Sequence, residues 1–133
     1  MRRARNYEKT VLRIFVEKHF TVGWADEIEA GYRHMEPSIL VAVREKKVIG
    51  FAAYDCTRRG YFGPTGVDEA YRGKGVGKAL LVAALEGLYQ RGYAYGIIGF
   101  AGPIDFYVKT VNAIPIPNSE PGIFEDMLDQ KTE

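Results

Sequence analysis

Two helical patterns separated by a short break occupy the first 35 residues. In the first pattern, apolar side chains recur at helical spacing among charged residues, at Val11, Leu12, Phe15 and Val16. This periodicity predicts an amphipathic helix over residues 6–19. The pattern breaks at residues 21–23, and a more polar pattern then predicts a second helix over residues 25–35.

Three apolar runs with strand character follow. Ile39–Val43 and Val48–Tyr54 lie on either side of a charged stretch, which predicts a β-hairpin. Tyr61–Val67 is predicted to be a third strand. Glycine or proline occupies positions 63, 64 and 66, so its ladder is expected to be interrupted or bulged.

The remaining pattern predicts a helix, a strand and a second helix in turn. Residues 74–91 are apolar on nearly every side, which predicts a mostly buried helix that ends at Gly92. Residues 93–100 form a β-type segment, and a short helix is predicted over residues 104–111.

Length, charge and cysteine content narrow the class of protein. The chain of 133 residues has the length of one ordinary domain, and we expect residues 1–133 to form a single one. Its net charge of +1 does not favour nucleic acid or an anionic membrane as a partner. The basic first five residues are not followed by an apolar segment, so they are not expected to be part of a signal peptide. We therefore predict a cytoplasmic location. The only cysteine, Cys56, is expected to be a packed strand thiol, and we expect no metal site.

A glycine-rich turn joins the third predicted strand to the predicted buried helix. Its sequence is Arg72-Gly73-Lys74-Gly75-Val76-Gly77. A helix N-terminus offers backbone N–H groups that have no acceptor within the helix, together with the positive end of the helix dipole. Glycines let a phosphate approach this backbone, and Arg72, Lys74 and Lys78 add positive charge. The turn therefore predicts a phosphorylated ligand.

The glycine spacing argues against two common nucleotide-binding loops. A Walker A loop requires Ser or Thr after Gly-Lys, whereas Ala79 follows Gly77-Lys78, and Arg72 stands where its first glycine belongs. A dinucleotide-binding or kinase loop requires Gly-x-Gly-x-x-Gly, whereas glycines 73, 75 and 77 are spaced two and two.

What remains resembles the Gcn5-related N-acetyltransferase (GNAT) family, whose signature is Arg or Gln, two residues, Gly, one residue, then Gly or Ala. Arg72–Gly77 matches that signature, after a strand that ends in Val67 and an aromatic Tyr71. The order of the elements over Ile39–Val111 is also similar to that of the family. The resemblance implies an α/β (α+β) fold with a mixed, mostly antiparallel central sheet flanked by helices. This sheet would be splayed between its fourth and fifth strands, with the first strand reduced to a few residues around 2–6.

The resemblance also implies a co-substrate site and a catalytic residue. Acetyl-CoA would bind with its pyrophosphate on the backbone of Arg72, Gly73, Lys74, Gly75, Val76 and Gly77. Its pantetheine would lie between the fourth and fifth strands, where the Val67 N–H would face the thioester carbonyl. Phe106-Tyr107-Val108-Lys109 resembles the family's Phe-Tyr-x-Lys segment, which makes Tyr107 the candidate general acid for the leaving thiolate.

On this resemblance the protein is an N-acetyltransferase in which an amine attacks the thioester directly. The acceptor stays open as a small-molecule or peptide amine. The general base stays open between Glu69 and a water chain, with Asp55, Asp68 and Asp105 as further carboxylates. The alternative is a catalytically inactive CoA-binding sensor or interaction module.

Three features depart from the family pattern. The first strand is almost absent, and Ala101-Gly102-Pro103 replaces the asparagine that often follows the fifth strand. The short tail from Ile114 is rich in proline and is expected to be a loop or edge strand, with a helical turn at residues 124–128. These departures affect the acceptor side of the cleft and allow a homodimer to complete it.

Overall fold

A five-stranded sheet organises the first part of the computed structural model, which describes residues 1–129. The strands are β1 (Arg2–Arg3), β2 (Ile39–Arg44), β3 (Lys47–Tyr54), β4 (Tyr61–Val67) and β5 (Ile97–Ile98). They lie in chain order across the sheet, antiparallel from β1 to β4 and parallel between β4 and β5. The predicted mixed, mostly antiparallel sheet with a reduced first strand is therefore confirmed.

Four α-helices accompany the sheet within residues 1–129. They are α1 (Lys9–His19), α2 (Val22–Glu29), α3 (Val76–Gln90) and α4 (Ile104–Val111), and the three-residue 3-10 turns lie at 6–8, 30–32, 69–71 and 122–124. The residues group into two compact units, Met1–Ala101 and a second unit that begins at Gly102. The sheet and α1 to α3 belong to the first unit, and α4 belongs to the second. That the chain forms a single domain stays a prediction.

Helices α1 and α2 cover one face of the sheet. The buried side chains of this face are Leu12, Phe15, Val16, Ala25 and Ile28 from the helices, and Ile39, Val41, Phe51 and Ala53 from the strands. Alternate residues of a strand point to opposite faces, which explains why Phe51 and Ala53 lie together on this side. Phe15 meets Phe51 edge to face, with 6.5 Å between ring centroids.

Helix α3 covers the opposite face, on which the neighbours of those strand residues lie. A Cβ at Gly50 would lie 3.1 Å from Leu80 Cδ1, and a Cβ at Gly87 would lie 2.5 Å from the Tyr54 ring. The prediction overestimated how much of this helix is buried, because its outer side is exposed and includes Val82 and Tyr89. An apolar residue on one side of a helix need not be covered when only the other side packs on a sheet.

Other element boundaries differ from the predicted ones for local reasons. Helix α2 begins at Val22 because the Thr21 hydroxyl accepts a hydrogen bond from Trp24 N–H at 3.0 Å, and it ends at Glu29 rather than continuing to Met35. Helix α3 begins at Val76 because Gly75, at φ 82°, is its N-cap.

Two later elements also differ from the predictions, since the fifth strand is shorter than predicted and the last helical turn lies earlier in the chain. Strand β5 comprises two residues instead of the predicted segment 93–100, which contains glycines 96 and 99 and follows Gly92. Glycine has no side chain to pack and weakens a strand interior. The predicted helical turn at 124–128 is replaced by a 3-10 turn at Gly122–Phe124. In residues 1–129, no helix is both long and apolar enough to cross a membrane.

Substitution of Gly87 by Ala tests the contact between α3 and the sheet. The added methyl group would overlap the Tyr54 ring, so we expect Gly87→Ala to lower the free energy of unfolding by about 1–3 kcal/mol, although Ala favours helix. The control is Gly77→Ala in the same helix, where the new Cβ lies 3.7 Å from its nearest neighbour and should stabilise by about 0.5–1 kcal/mol. Urea unfolding without ligand measures both, and equal stability of the two variants would contradict the described packing.

Candidate active site

The sheet opens between β4 and β5. Strand β5 pairs with Tyr61 and Phe62 only, so residues 63–67 of β4 extend beyond the pairing and leave one edge of that strand open. The predicted splay between the fourth and fifth strands is therefore confirmed. On its other side β4 stays paired with β3, with a register shift between Ala52 and Tyr54. This irregularity matches the interruption predicted for the strand.

The register with β3 decides which amides of β4 face the open edge. Asp68 N–H donates to the Ile49 carbonyl at 2.8 Å, and Gly66 lies opposite Phe51. Bonded and non-bonded pairs alternate in an antiparallel ladder, so Gly66 bonds to β3, whereas Val67 and Thr65 turn their N–H groups the other way. The open edge therefore carries the amides of Thr65 and Val67. Sequence reasoning found Val67 but missed Thr65, which the alternation of two along a strand would have supplied.

The segment after β4 folds back on the end of that strand. The Asp68 carboxylate accepts a hydrogen bond from Ala70 N–H at 3.0 Å and caps the 3-10 turn at 69–71. The Arg72 side chain returns along the turn, where its Nε donates to the Val67 carbonyl at 3.1 Å. Arg72 thus ties the glycine-rich turn to the end of the open strand.

The glycine-rich turn presents free backbone donors at the start of α3. Gly73 and Gly75 have φ angles of 79° and 82°, which favour glycine, and a Cβ at either position would meet nothing within 4 Å. The first bond of the helix runs from Ala79 N–H to the Gly75 carbonyl at 3.1 Å. The N–H groups of Val76, Gly77 and Lys78 precede that bond and have no acceptor in the helix.

The side chains around the turn are cationic and exposed. Arg72, Lys74 and Lys78 lie at the solvent, and Lys74 Nζ lies 5.7 Å from the centre of the Tyr71 ring. Together with the dipole of α3, these charges favour an anion in the open space before the turn. All of the residues predicted to hold the pyrophosphate, Arg72 to Gly77, are thus brought together next to Val67.

An aromatic cluster lies over β4 on the face covered by α1 and α2. The Phe20 ring packs directly on Gly66, where an added Cβ would lie 2.3 Å from Cζ. Trp24 stacks on Phe20 with 5.3 Å between ring centroids, and both are partly exposed. His19 Nε2 lies 3.9 Å from Asp68 Oδ2, which joins the end of α1 to the end of β4.

Two of the carboxylates considered as general bases have structural partners. Asp55 accepts a hydrogen bond from Gly60 N–H at 2.6 Å and pairs with Arg91 at 2.9 Å. Asp68 caps the turn as described above. Glu69 and Asp105 are exposed. Their oxygens already serve in these structural contacts, so Asp55 and Asp68 are weak candidates for a base that must contact the acceptor.

Glu27 on α2 is a carboxylate that sequence reasoning missed. It is half-buried and accepts a hydrogen bond from the Thr57 hydroxyl at 3.4 Å. Burial raises the pKa of Glu27, and the Thr57 hydrogen bond opposes this effect. The sequence signal was its position three residues after Trp24, which places both side chains on one flank of the helix.

Tyr107 lies in the first half of α4, in the second compact unit. Its side chain is buried, and burial raises the pKa of its hydroxyl. The Phe106 and Tyr107 rings meet edge to face, with 5.2 Å between centroids. Both residues of the Phe-Tyr pair are therefore helical, as predicted.

Cys56 is buried, but it lies in the bend two residues after β3 rather than in a strand. Its sulfur lies 3.8 Å from the Ser38 hydroxyl and donates to the Tyr54 carbonyl at 3.4 Å. Burial raises the pKa of the thiol to about 11. A thiol of this kind is a poor nucleophile, which disfavours a covalent acyl-cysteine. Among residues 1–129, no group of three or more His, Cys, Asp or Glu side chains is arranged to hold a metal ion.

The fold and the turn agree with the comparison with family models. The model of the acetyltransferase (GNAT) family matches residues 6–107. The chain therefore belongs to the GNAT acetyltransferase family. A comparison with curated proteins found no match.

Solved structures of acetyltransferases share the fold. A GNAT family acetyltransferase from Brucella melitensis, in complex with acetyl-CoA, is 21% identical with a TM-score of 0.61, over 80% of this chain and 79% of that one. The aminoglycoside N-acetyltransferase AAC(6')-Iy, in complex with CoA, is 16% identical with a TM-score of 0.58, over 84% and 82%. A ribosomal-protein-alanine N-acetyltransferase from Brucella melitensis biovar Abortus 2308 is 15% identical with a TM-score of 0.59, over 86% and 91%.

The burial of Cys56 can be tested with a thiol reagent. Because its raised pKa keeps the thiol protonated at pH 8 and its side chain is covered, we expect the native protein to react with DTNB at least about 100-fold more slowly than the protein unfolded in urea. Absorbance of the released thionitrobenzoate measures both rates. Rapid reaction of the native protein would contradict this result and reopen a covalent mechanism.

Proposed function

We propose that the protein transfers the acetyl group of acetyl-CoA to an amine by direct attack of the amine nitrogen on the thioester. The observation that carries this proposal is the continuity of two features. The open edge of β4 ends at Val67, and the glycine-rich turn with its free N–H groups follows within a few residues. An extended ligand with an anionic end fits such a continuous row of donors.

The anionic end is the pyrophosphate of acetyl-CoA. The N–H groups at the start of α3 would hold it, assisted by the helix dipole. The open glycines at 73 and 75 let the phosphate oxygens approach the backbone, which supports this position. Lys74 and Lys78 add charge without a bidentate geometry.

The pantetheine arm would run along the open edge as an added strand. Five residues of β4, from 63 to 67, extend beyond the pairing with β5, which corresponds to about 16 Å of edge. This length suits an extended pantetheine arm. One of the two N–H groups, of Val67 or of Thr65, would pair with an amide carbonyl of the arm, which leaves the other for the thioester carbonyl.

The reaction requires one bond to form and one to break. The amine nitrogen attacks the carbonyl carbon, and the oxygen becomes negatively charged as the tetrahedral intermediate forms. We propose that the Val67 N–H, or the Thr65 N–H on the same edge, stabilises this charge. The C–S bond then breaks, and Tyr107 donates a proton to the leaving thiolate. The raised pKa of Tyr107 keeps its hydroxyl protonated at neutral pH.

The acceptor is proposed to be a small-molecule or peptide amine. Structural neighbours are named for an aminoglycoside and for the alanine of a ribosomal protein, which differ widely in size. We propose that the loops, rather than the glycine-rich turn, determine which amine is accepted. A cytoplasmic location and a homodimer stay predictions from the sequence.

Binding of acetyl-CoA can be tested at Gly75. Gly75→Glu places a side chain and a negative charge at the phosphate position, so we expect at least a 100-fold rise in Kd by isothermal titration calorimetry. Gly92→Glu is the matched control, because Gly92 also has a positive φ and open surroundings but follows the far end of α3. Absence of binding to the wild type would refute the proposed function. Equal binding to both variants would remove the turn from the site.

The acid role of Tyr107 can be tested by removing its hydroxyl. We expect Tyr107→Phe to lower kcat by about 100-fold or more, with little change in the KM for acetyl-CoA. A general acid works while protonated, and burial raises its pKa, so the wild-type kcat should fall only above the usual pKa of tyrosine. This alkaline fall should disappear in the variant.

The exposed Tyr95 supplies a control for that experiment. Tyr95→Phe removes the same hydroxyl from a side chain at the solvent and should leave kcat unchanged. An unchanged kcat in Tyr107→Phe would exclude the acid role. If the wild type binds acetyl-CoA but transfers no acetyl group, the inactive CoA-binding module is favoured instead.

A further inference from the structure

The two flanks of α2 differ in their partners. On the flank that faces α1, Asp26 and Glu29 both pair with Arg13, at 2.8 and 3.3 Å. Trp24 and Glu27 lie on the other flank. Since α1 occupies the first side, the second flank is turned towards β4 and the loop that precedes it.

Contacts at both ends of this second flank fix its position over β4. At one end Trp24 stacks on Phe20, whose ring packs on Gly66 near the end of the strand. At the other end Glu27 bonds to Thr57, which lies in the loop before the strand begins. The flank therefore follows the same strand whose edge is open from 63 to 67.

The Glu27 carboxylate on this flank is weakly satisfied by the rest of the protein. Within residues 1–129, Glu27 has no cation within 4 Å, and its single hydrogen bond, from Thr57, is long at 3.4 Å. A half-buried carboxylate without a counter-ion costs free energy, which binding of a cation would offset. The Trp24 ring adds an aromatic surface of the kind that attracts an ammonium group.

We propose that Glu27 binds the ammonium group of the acceptor beside the Trp24 ring and removes its proton before attack. The acceptor class is then a primary amine that arrives protonated. This inference rests on the proposed acetyl transfer, to which it adds the general base. Burial raises the pKa of Glu27, which makes its carboxylate a better base than an exposed one.

The protons of the reaction balance with this assignment. The ammonium group gives one proton to the Glu27 carboxylate, which later releases it to solvent. The neutral nitrogen forms the bond to the carbonyl carbon and loses a second proton as the C–S bond breaks. The sulfur receives its proton from the proposed general acid, Tyr107, whose hydroxyl is reprotonated from solvent, and the second proton of the nitrogen is released to solvent.

The loop after β3, which contacts Glu27 through Thr57, carries Asp55, Cys56, Arg58 and Arg59. The loop after β3 contributes the Cys56 thiol, which stays protonated because burial raises its pKa to about 11. The charges of Asp55 and Arg33 have opposite effects on the pKa of that thiol, which Asp55 raises and Arg33 lowers. On α2 itself, Asp26 is bound to Arg13 on the other flank. Protonation of Glu27 at low pH would prevent it from accepting a proton, so kcat should fall as the pH is lowered. This acidic fall can be assigned to Glu27 if removal of its carboxylate abolishes the fall.

The test compares Glu27→Gln with Asp26→Asn on the opposite flank. The probes are kanamycin, spermidine and an alanine tripeptide with a free N-terminus, and the readout is CoA release as a function of pH. We expect Glu27→Gln to lower kcat at least about 100-fold and to abolish the acidic fall, with Asp26→Asn close to wild type. The Kd for acetyl-CoA should be unchanged in both variants, so a loss of co-substrate binding points instead to failure of the proposed function.

A second readout does not depend on turnover. Trp24 is the only tryptophan of the chain, so its fluorescence reports directly on this flank. With CoA bound, at least one of the three probes should give a saturable change in wild type and Asp26→Asn but not in Glu27→Gln. The proposal is overturned if no probe changes the fluorescence, or if Glu27→Gln keeps the wild-type kcat. A lower kcat with an unchanged acidic fall would likewise overturn it, because the role of Glu27 would then be structural.

Discussion

Strand β5 leaves β4 after two paired residues, and the candidate site exists because of this early separation. A strand interior normally satisfies its backbone groups on both sides. Here β3 takes one side of β4, whereas Thr65 and Val67 present their N–H groups on the other. The separation has a cause in the sequence, since glycines 96 and 99 flank the short β5 and weaken its continuation.

The end of the open strand is held in place by several independent contacts. Arg72 bonds to the Val67 carbonyl, Asp68 caps the next turn, and His19 approaches Asp68 from α1. Phe20 fills the surface of Gly66 on the face opposite α3. A donor that stabilises developing charge works best when its position is fixed before the reaction. The packing of α1 and α2 therefore bears on the chemistry although neither helix belongs to the signature.

Local signals in the sequence predicted the parts of the site that depend on short-range geometry. The turn from Arg72 to Gly77 was predicted because regularly spaced glycines between a strand and a helix are typical of a tight turn. The positive φ angles of Gly73 and Gly75 occur in this turn. The splay was predicted only through the resemblance to the GNAT family. The length of β5 was overestimated because β propensity does not report where a partner strand is available. The start of α2 was missed because the Thr21 cap was overlooked.

The general base illustrates what a sequence cannot supply. Glu69 attracted attention because it follows β4 in the chain, but it is exposed. Asp55 and Asp68 lie in suitable stretches of sequence, yet each is held by donors in the fold. Glu27 appeared to be one of several acidic residues on a polar helix. Only the packing of α2 between α1 and β4 separates it from Asp26 and Glu29. Burial without a counter-ion raises the pKa of Glu27, whereas the other two share Arg13 as a counter-ion.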